Sequence, residues 1–298
     1  MNYITNAAVM TYENQRKMIF SLKKLYPFLG VNVIGKSLCH RDIFSLTVGK
    51  SRNPLIIAAG FHGQEWLTSL LALRFAEIIL YSKINKAPIW GINPESISRS
   101  MVIVPCVNPD GIEIAINGFE SSGRFTETGR KIAAVSEEKW NANARGVDIN
   151  HNFDAGWNEL RRIETDSGIL GPSPRRYGGY MPESEPETKA LVQLCKKINP
   201  RTAIALHSQG EEIFWEYGNK KPPRSEEIAK IFSAVSGYEL VENSGLASHG
   251  GFKDWFIEFF NKPGYTIEIG KGENPLPISD FDGIAKKCIP MLTLASIL

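Results

Sequence analysis

His62 and Glu65 stand three residues apart, where the apolar run Leu55-Ile56-Ile57-Ala58-Ala59 breaks at Gly60 and the chain turns into what reads as a helix start. An imidazole nitrogen and a carboxylate oxygen delivered from one strand end can face a single ion, and that donor pair suits Zn2+. A polar helix cap is the other reading of this dyad, because short motifs often match by chance. Two distant segments share the design of an apolar strand ending in a reactive side chain: Thr202-Ala203-Ile204-Ala205-Leu206-His207 and Tyr265-Thr266-Ile267-Glu268-Ile269. In the second, a carboxylate interrupts a β-branched apolar run, a costly position unless the group has a partner or a task. Strands of an open α/β sheet carry their sites at the carboxyl edge, where these ends would converge. His62, Glu65 and His207 then supply three zinc ligands with a fourth position open to water, which leaves Glu268 as the general base. The alternative for Glu268 is a structural ion pair.

In chain order, His62-Gly63-Gln64-Glu65, Asn143-Ala144-Arg145-Gly146-Val147-Asp148-Ile149-Asn150, His207-Ser208 and Glu268-Ile269-Gly270 resemble the motifs of the zinc metallocarboxypeptidases of the carboxypeptidase A type. Asp154-Ala155-Gly156-Trp157, Gly171-Pro172-Ser173-Pro174-Arg175, His207-Ser208-Gln209-Gly210 and Lys253-Asp254-Trp255-Phe256 are similar to the bacterial branch that cleaves the γ-D-glutamyl–diaminopimelate bond of cell-wall peptides. The resemblance implies a peptidase with one zinc ion per chain, held by His62, Glu65 and His207, with Glu268 as base. It places Arg145 as the cation beside the developing oxyanion, and Asp148 as the carboxylate that accepts from the other ring nitrogen of the first zinc histidine. Asn150 matches a contact to the substrate carboxylate. His151 stands where relatives carry a guanidinium that grips a terminal carboxylate, so a plain C-terminal carboxylate should be held less well. Lys253 falls at the pocket floor, where an ammonium would select an acidic group such as the second carboxylate of diaminopimelate.

Each of these roles has a plainer counterpart: a paired surface arginine for Arg145, a turn aspartate for Asp148, and a solvated helix lysine for Lys253. A carboxypeptidase of broader specificity or a zinc-dependent N-acyl-amino-acid deacylase would suit the same scaffold. A catalytically silent muropeptide-binding module should have lost a ligand or Glu268, and all four residues are present. His249, in Ala247-Ser248-His249-Gly250-Gly251, falls near the family's mobile aromatic substrate contact, but no tyrosine stands there and it receives no role. Cys39-His40-Arg41 departs from the family's Gly-Arg turn, and His40 reads as a loop residue.

The elements that must position these residues are legible from periodicity. Met18, Ile19, Leu22 and Leu25 mark an amphipathic helix from Thr11, as cap, to Tyr26 before Pro27. Residues 31–34, 43–48, 55–59 and 101–105 read as strands, and 67–81 as the most apolar helix. Asn108-Pro109-Asp110-Gly111 reads as a turn, and the polar, aperiodic stretch 119–143 as a long loop over the sheet edge. Ser184-Glu185-Pro186-Glu187 opens a helix with Ser184 as cap, running to Asn199 and feeding the His207 strand. Helices at 226–235, 252–260 and from about Ser279 alternate with the strand 264–270. The pattern argues an α/β sandwich with a largely parallel central sheet, and the resemblance implies the α/β/α sandwich with a mixed, largely parallel sheet of the zinc carboxypeptidases. The aromatic cluster Phe252, Trp255, Phe256, Phe259 and Phe260 reads as core packing at helical spacing.

Composition sets the outer limits. A chain of 298 residues, 43% hydrophobic, can build one substantial core, so a single domain over 1–298 is expected. A net charge of +2 with 22% charged residues gives no nucleic-acid signature, and the family resemblance implies a peptide substrate of muropeptide type as the partner. The amino-terminal residues lack the basic and apolar regions of a secretory signal, which favours a cytoplasmic site. Arg74 and Glu77 interrupt the 67–81 helix, which falls short of a membrane span. Cys39, Cys106, Cys195 and Cys288 lie far apart and read as reduced thiols.

Overall fold

The computed structural model describes residues 3–241 and 249–298. In chain order its strands are β1 (Gly30–Lys36), β2 (Asp42–Val48), β3 (Leu55–Ala58), β4 (Met101–Val104), β5 (Thr202–His207), β6 (Glu212–Phe214), β7 (Glu239–Leu240) and β8 (Gly264–Glu268). Among the described residues they form one sheet in the order β1-β2-β4-β3-β5-β8-β6-β7. The centre is parallel, with β3 between β4 and β5, and β8 beside β5. Antiparallel pairings of β2 with β4 and of β6 with β8 extend it on either side. The four residues of β3 are all buried, as a central parallel strand covered on both faces requires.

The helices are α1 (Tyr12–Leu25), α2 (Trp66–Asn85), α3 (Pro109–Asn117), α4 (Thr126–Ala133), α5 (Trp157–Asp166), α6 (Pro186–Ile198), α7 (Ser225–Ser236), α8 (Phe252–Phe260) and α9 (Phe281–Ile297). Alternation along β3 divides the core between the two faces of the sheet. Leu55 and Ile57 join the layer that holds Leu22 of α1, Leu70 of α2 and Leu292 of α9, whereas Ile56 and Ala58 join the layer of Leu191 of α6 and Phe256 of α8. That is the expected α/β/α sandwich. Helix α2 is buried almost all round, and the charges of Arg74 and Glu77 are answered by the amino-terminal segment. Arg74 Nε donates to the Thr5 carbonyl at 3.1 Å, and Glu77 accepts from the Thr5 amide at 2.9 Å. Among the described residues no helix is long and apolar enough to cross a membrane. The four cysteines are free, and three of them are buried.

Several local expectations change. Asn108 does not head an isolated turn but caps α3, its Oδ1 accepting from the Gly111 amide at 2.8 Å, since a turn and a helix start use the same residues. The stretch expected as a loop contains a 3-10 segment, Phe119–Phe125, followed by α4, whose mostly polar surface hid the helical period. Phe119 holds this region down by meeting Trp140 edge-on, with ring centroids 4.9 Å apart. Helix α6 begins one residue later than expected: Glu185 occupies the cap position, and Ser184 Oγ bonds to the Glu185 carboxylate instead of capping. Helix α5 was not foreseen, nor were β6 and β7, whose three and two residues are too short to show alternation. Phe252, Trp255 and Phe256 are buried as expected, whereas Phe259 is exposed. Ala247 and Ser248 lie outside the described residues.

Candidate metal centre

His62 follows β3 and Glu65 closes a single 3-10 turn, Gly63–Glu65, that leads into α2. The turn is tight enough to demand glycine: a Cβ on Gly63 would come within 2.5 Å of the Gly111 carbonyl oxygen and 2.6 Å of that of Trp140. His207 ends β5, the strand beside β3, and Glu268 ends β8, where the register sets it opposite His207. Three adjacent parallel strands thus deliver all four residues to one edge of the sheet.

One ligand atom from each of His62, Glu65 and His207 lies within 4.8 Å of the others. Nδ1 of His62 is 2.7 Å from Glu65 Oε1, Nδ1 of His207 is 3.1 Å from Glu65 Oε2, and the two Nδ1 atoms are 3.3 Å apart. On the far side of the first ring, Nε2 of His62 is 3.0 Å from Asp148 Oδ1. Asp148 is itself fixed by the backbone amides of Asn150, at 3.1 Å, and Arg176, at 2.8 Å. The Ser208 amide, donating to Glu65 Oε2 at 3.2 Å, steadies the glutamate, and stacking on Phe61 at 4.9 Å orients the His207 ring. Nε2 of His207 is buried with no partner among the described residues.

A carboxylate only accepts, so Asp148 requires the proton of a neutral His62 to sit on Nε2. That leaves an Nδ1 lone pair aimed at the Glu65 carboxylate, with the second imidazole beside it. Lone pairs crowded this closely need a positive charge among them, either an added proton or a metal ion. Two neutral imidazole nitrogens and one carboxylate fit Zn2+, and the Asp148–His62 contact is the outer support such ligands use.

The electrostatics point the same way. Burial alone would lower the His62 pKa, but the Glu65 and Asp148 carboxylates overcome it and raise the value well above that of a free imidazole. For Glu65 and Asp148, burial works toward a higher pKa and the neighbouring imidazoles outweigh it, so both carboxyls are held low. His207 is lowered, chiefly by burial, with Glu65 opposing. Glu268 is raised well above an ordinary glutamate by burial and by the Glu65 charge. Without a cation, His62 therefore carries a proton where the ion would sit. Zinc binding is expected to release protons, and its apparent affinity to climb as pH rises through the elevated His62 pKa, because proton and ion compete for Nδ1. Calorimetric zinc titrations in buffers of different ionisation enthalpy check this; binding with no net proton release would contradict it.

The sequence profile of the zinc carboxypeptidase family matches residues 16–289, a span that includes all four of these positions. The chain belongs to the zinc carboxypeptidase family. It is 35% identical over 282 residues to gamma-D-glutamyl-L-diamino acid endopeptidase 1 of Lysinibacillus sphaericus, covering 91% of this chain and 69% of that protein. It is 28% identical over 207 residues to murein peptide amidase A of Escherichia coli (strain K12), covering 69% of this chain and 66% of that protein. The fold is shared with thrombin-activatable fibrinolysis inhibitor, at a TM-score of 0.76 and 19% identity, with 99% of this chain and 76% of that one covered. The chain is thus a zinc metallopeptidase by family.

Two cavities flank the centre of this zinc carboxypeptidase relative. A cavity of about 630 Å3 is lined by His62, Glu65, Asp148, His151 and Glu268, together with Lys139, Arg175, Arg176 and Glu212. A smaller one, about 160 Å3, shares His62, His151 and Glu268 but adds His207, Asn150, Lys253 and Asp254. Arg145 lines neither. Its Nε and Nη2 reach the buried Glu185 carboxylate at 2.8 and 2.7 Å, so the expected oxyanion cation is instead a two-pronged structural tie.

The remaining expected residues sit at the cavities with altered prospects. Asn150 Oδ1 accepts from the Phe252 amide at 3.0 Å, which leaves its NH2 for a ligand. Nδ1 of His151 is 2.8 Å from the Arg176 carbonyl, which can only accept, so the ring proton is committed there. Burial lowers the His151 pKa, with Asp148 opposing, and the neutral ring then offers Nε2 as an acceptor. Lys253 is buried rather than solvated, but its ammonium is already balanced: Nζ lies 2.5 Å from Asp254 Oδ1 and 2.5 Å from the Glu216 carbonyl. The expectation of a lone cation awaiting an acidic group is corrected to a neutral pair with one N–H to spare. His249 lines the smaller cavity but is not among the converging ligands, and its Nδ1 is 3.0 Å from the Tyr217 hydroxyl. Lys139, Arg175, Arg176 and Glu212 carried no sequence-based role; Arg175 stood at the end of the Gly171-Pro172-Ser173-Pro174 similarity, the one signal that could have flagged it.

Proposed function

We propose that this protein is a zinc-dependent peptidase that hydrolyses the γ-D-glutamyl–diamino acid bond of cell-wall-derived peptides, using one zinc ion at His62, Glu65 and His207 and Glu268 as general base. The observation that carries the reading is the pairing of His207 with Glu268 across neighbouring strands, which puts a carboxylate of raised proton affinity beside a two-histidine, one-carboxylate ligand set. When bound, zinc supplies Lewis acidity toward a carbonyl and acidifies water toward a pKa of ~7. Glu268 takes the proton of the attacking water and returns it to the leaving amine. Asp148 keeps the His62 ring turned and its Nε2 protonated, so that Nδ1 stays available.

The substrate class is supported by two features. The first is the likeness to a gamma-D-glutamyl-L-diamino acid endopeptidase. The second is the leaving-side cavity, where the NH2 of Asn150 and the remaining N–H of Lys253 can meet a carboxylate while Nε2 of His151 accepts from an ammonium, a mixed set that suits an amphoteric diamino acid. Incubating the zinc-loaded protein with L-Ala-γ-D-Glu-meso-diaminopimelate should yield L-Ala-D-Glu and free diaminopimelate, identified by mass. Release of L-alanine alone, or cleavage only of ordinary α-linked peptides, would overturn the substrate assignment and leave the peptidase chemistry standing.

A further inference from the structure

The cations of the larger cavity differ in how they are neutralised. Lys139 is paired with Glu273 at 2.8 Å, and Arg176 lies 3.6 Å from Glu138. Among the described residues the Arg175 guanidinium has neither an ion pair nor a hydrogen bond, although it lines the same wall as His62, Glu65 and Glu268. Its backbone is held from both neighbours. The preceding carbonyl, of Pro174, accepts from the amides of Asn141 and Ala142, each at 2.8 Å. The following residue is clamped on both sides, its amide donating to Asp148 and its carbonyl accepting from His151. Arg176 holds a left-handed conformation, φ 69°, to make both contacts, the kind of backbone strain that gathers at functional sites. Asp148, which steadies His62, therefore steadies the base of Arg175 as well.

We propose that Arg175 is a specificity residue that grips a free carboxylate on the acyl side of the scissile bond. The side follows from the two cavities at the centre: Asn150 and Lys253 line the smaller one, Arg175 lines the larger and not the smaller, and His62 and Glu268 line both. This rests on the peptidase reading above. A glutamyl residue joined through its side-chain carboxyl keeps its α-carboxylate free, three carbons from the carbonyl under attack. A planar guanidinium with no partner among the described residues is suited to take that group in a two-pronged, charge-assisted contact.

The test compares two tripeptides, L-Ala-γ-D-Glu-diaminopimelate and its counterpart with the glutamyl α-carboxylate converted to carboxamide, on the zinc-loaded wild type, Arg175→Gln and Arg175→Lys. The wild type should favour the carboxylate peptide by ~10–100-fold in kcat/KM. Arg175→Gln should erase that preference through a raised KM for the carboxylate peptide while leaving the amide peptide unchanged, and Arg175→Lys should restore part of it. Calorimetry on Glu268→Gln should show the same preference in binding alone, and adding Arg175→Gln to that variant should erase it. Equal use of both peptides by the wild type overturns this proposal and spares the peptidase reading, and it needs no variant to fold. An equal loss of kcat on both peptides in Arg175→Gln would move Arg175 to the reacting carbonyl, and so also overturns it. Cleavage of neither peptide by the wild type overturns the substrate assignment, and this proposal with it.

Discussion

Glu268→Gln should keep its zinc and lose ~10²–10⁴-fold in turnover, the range of a general-base contribution. The two effects separate because Glu268 stands outside the ligand cluster: the atoms that converge within 4.8 Å belong to His62, Glu65 and His207. Glutamine preserves the shape of the side chain at the end of β8 but cannot accept the water proton. The raised proton affinity of Glu268 comes from burial and from the Glu65 charge, and a dication between Glu65 and the imidazoles offsets the second of these. Elemental analysis and kcat on one preparation decide the matter, and near-normal turnover in the variant would transfer the base role to another residue.

His207→Ala should lose the metal as well as the activity. It removes one of three ligands, and its zinc affinity should fall by more than ~100-fold, the upper end of what losing an outer partner of a ligand costs. The contrast with Glu268→Gln is the informative part, since one variant is inactive with metal and the other inactive without it. The ring also packs on Phe61, so the variant needs a fold control by circular dichroism. His249→Ala serves as a second control, because that imidazole bonds to Tyr217 and should leave zinc content unchanged. Stoichiometric zinc in His207→Ala would remove that residue from the ligand set.

The sequence was most informative where local chemistry and long-range geometry coincide. Ligands at the ends of apolar strands are legible because β3, β5 and β8 are central and buried, so their hydrophobic runs stand out and the sheet aligns their carboxyl ends. Elements with little buried surface were harder to read. Helix α4 buries only Gly129, and β7 is two residues long, so neither shows a hydrophobic period. The fates of Arg145 and Lys253 were hidden for another reason. Each is decided by a partner whose position no spacing rule supplies: Glu185, 40 residues away, draws Arg145 from the site, and Asp254, adjacent in sequence, turns back to neutralise Lys253. Arg175 is the converse, marked by the absence of such a partner among the described residues.

One metal ion, held by His62, Glu65 and His207, is proposed to power hydrolysis. Titrating metal-free protein with zinc while following peptide cleavage tests it in a single curve. Activity should be absent at the start, rise in proportion to added zinc and break at one equivalent per chain. Cleavage by the metal-free protein, or a break at two equivalents, would contradict it.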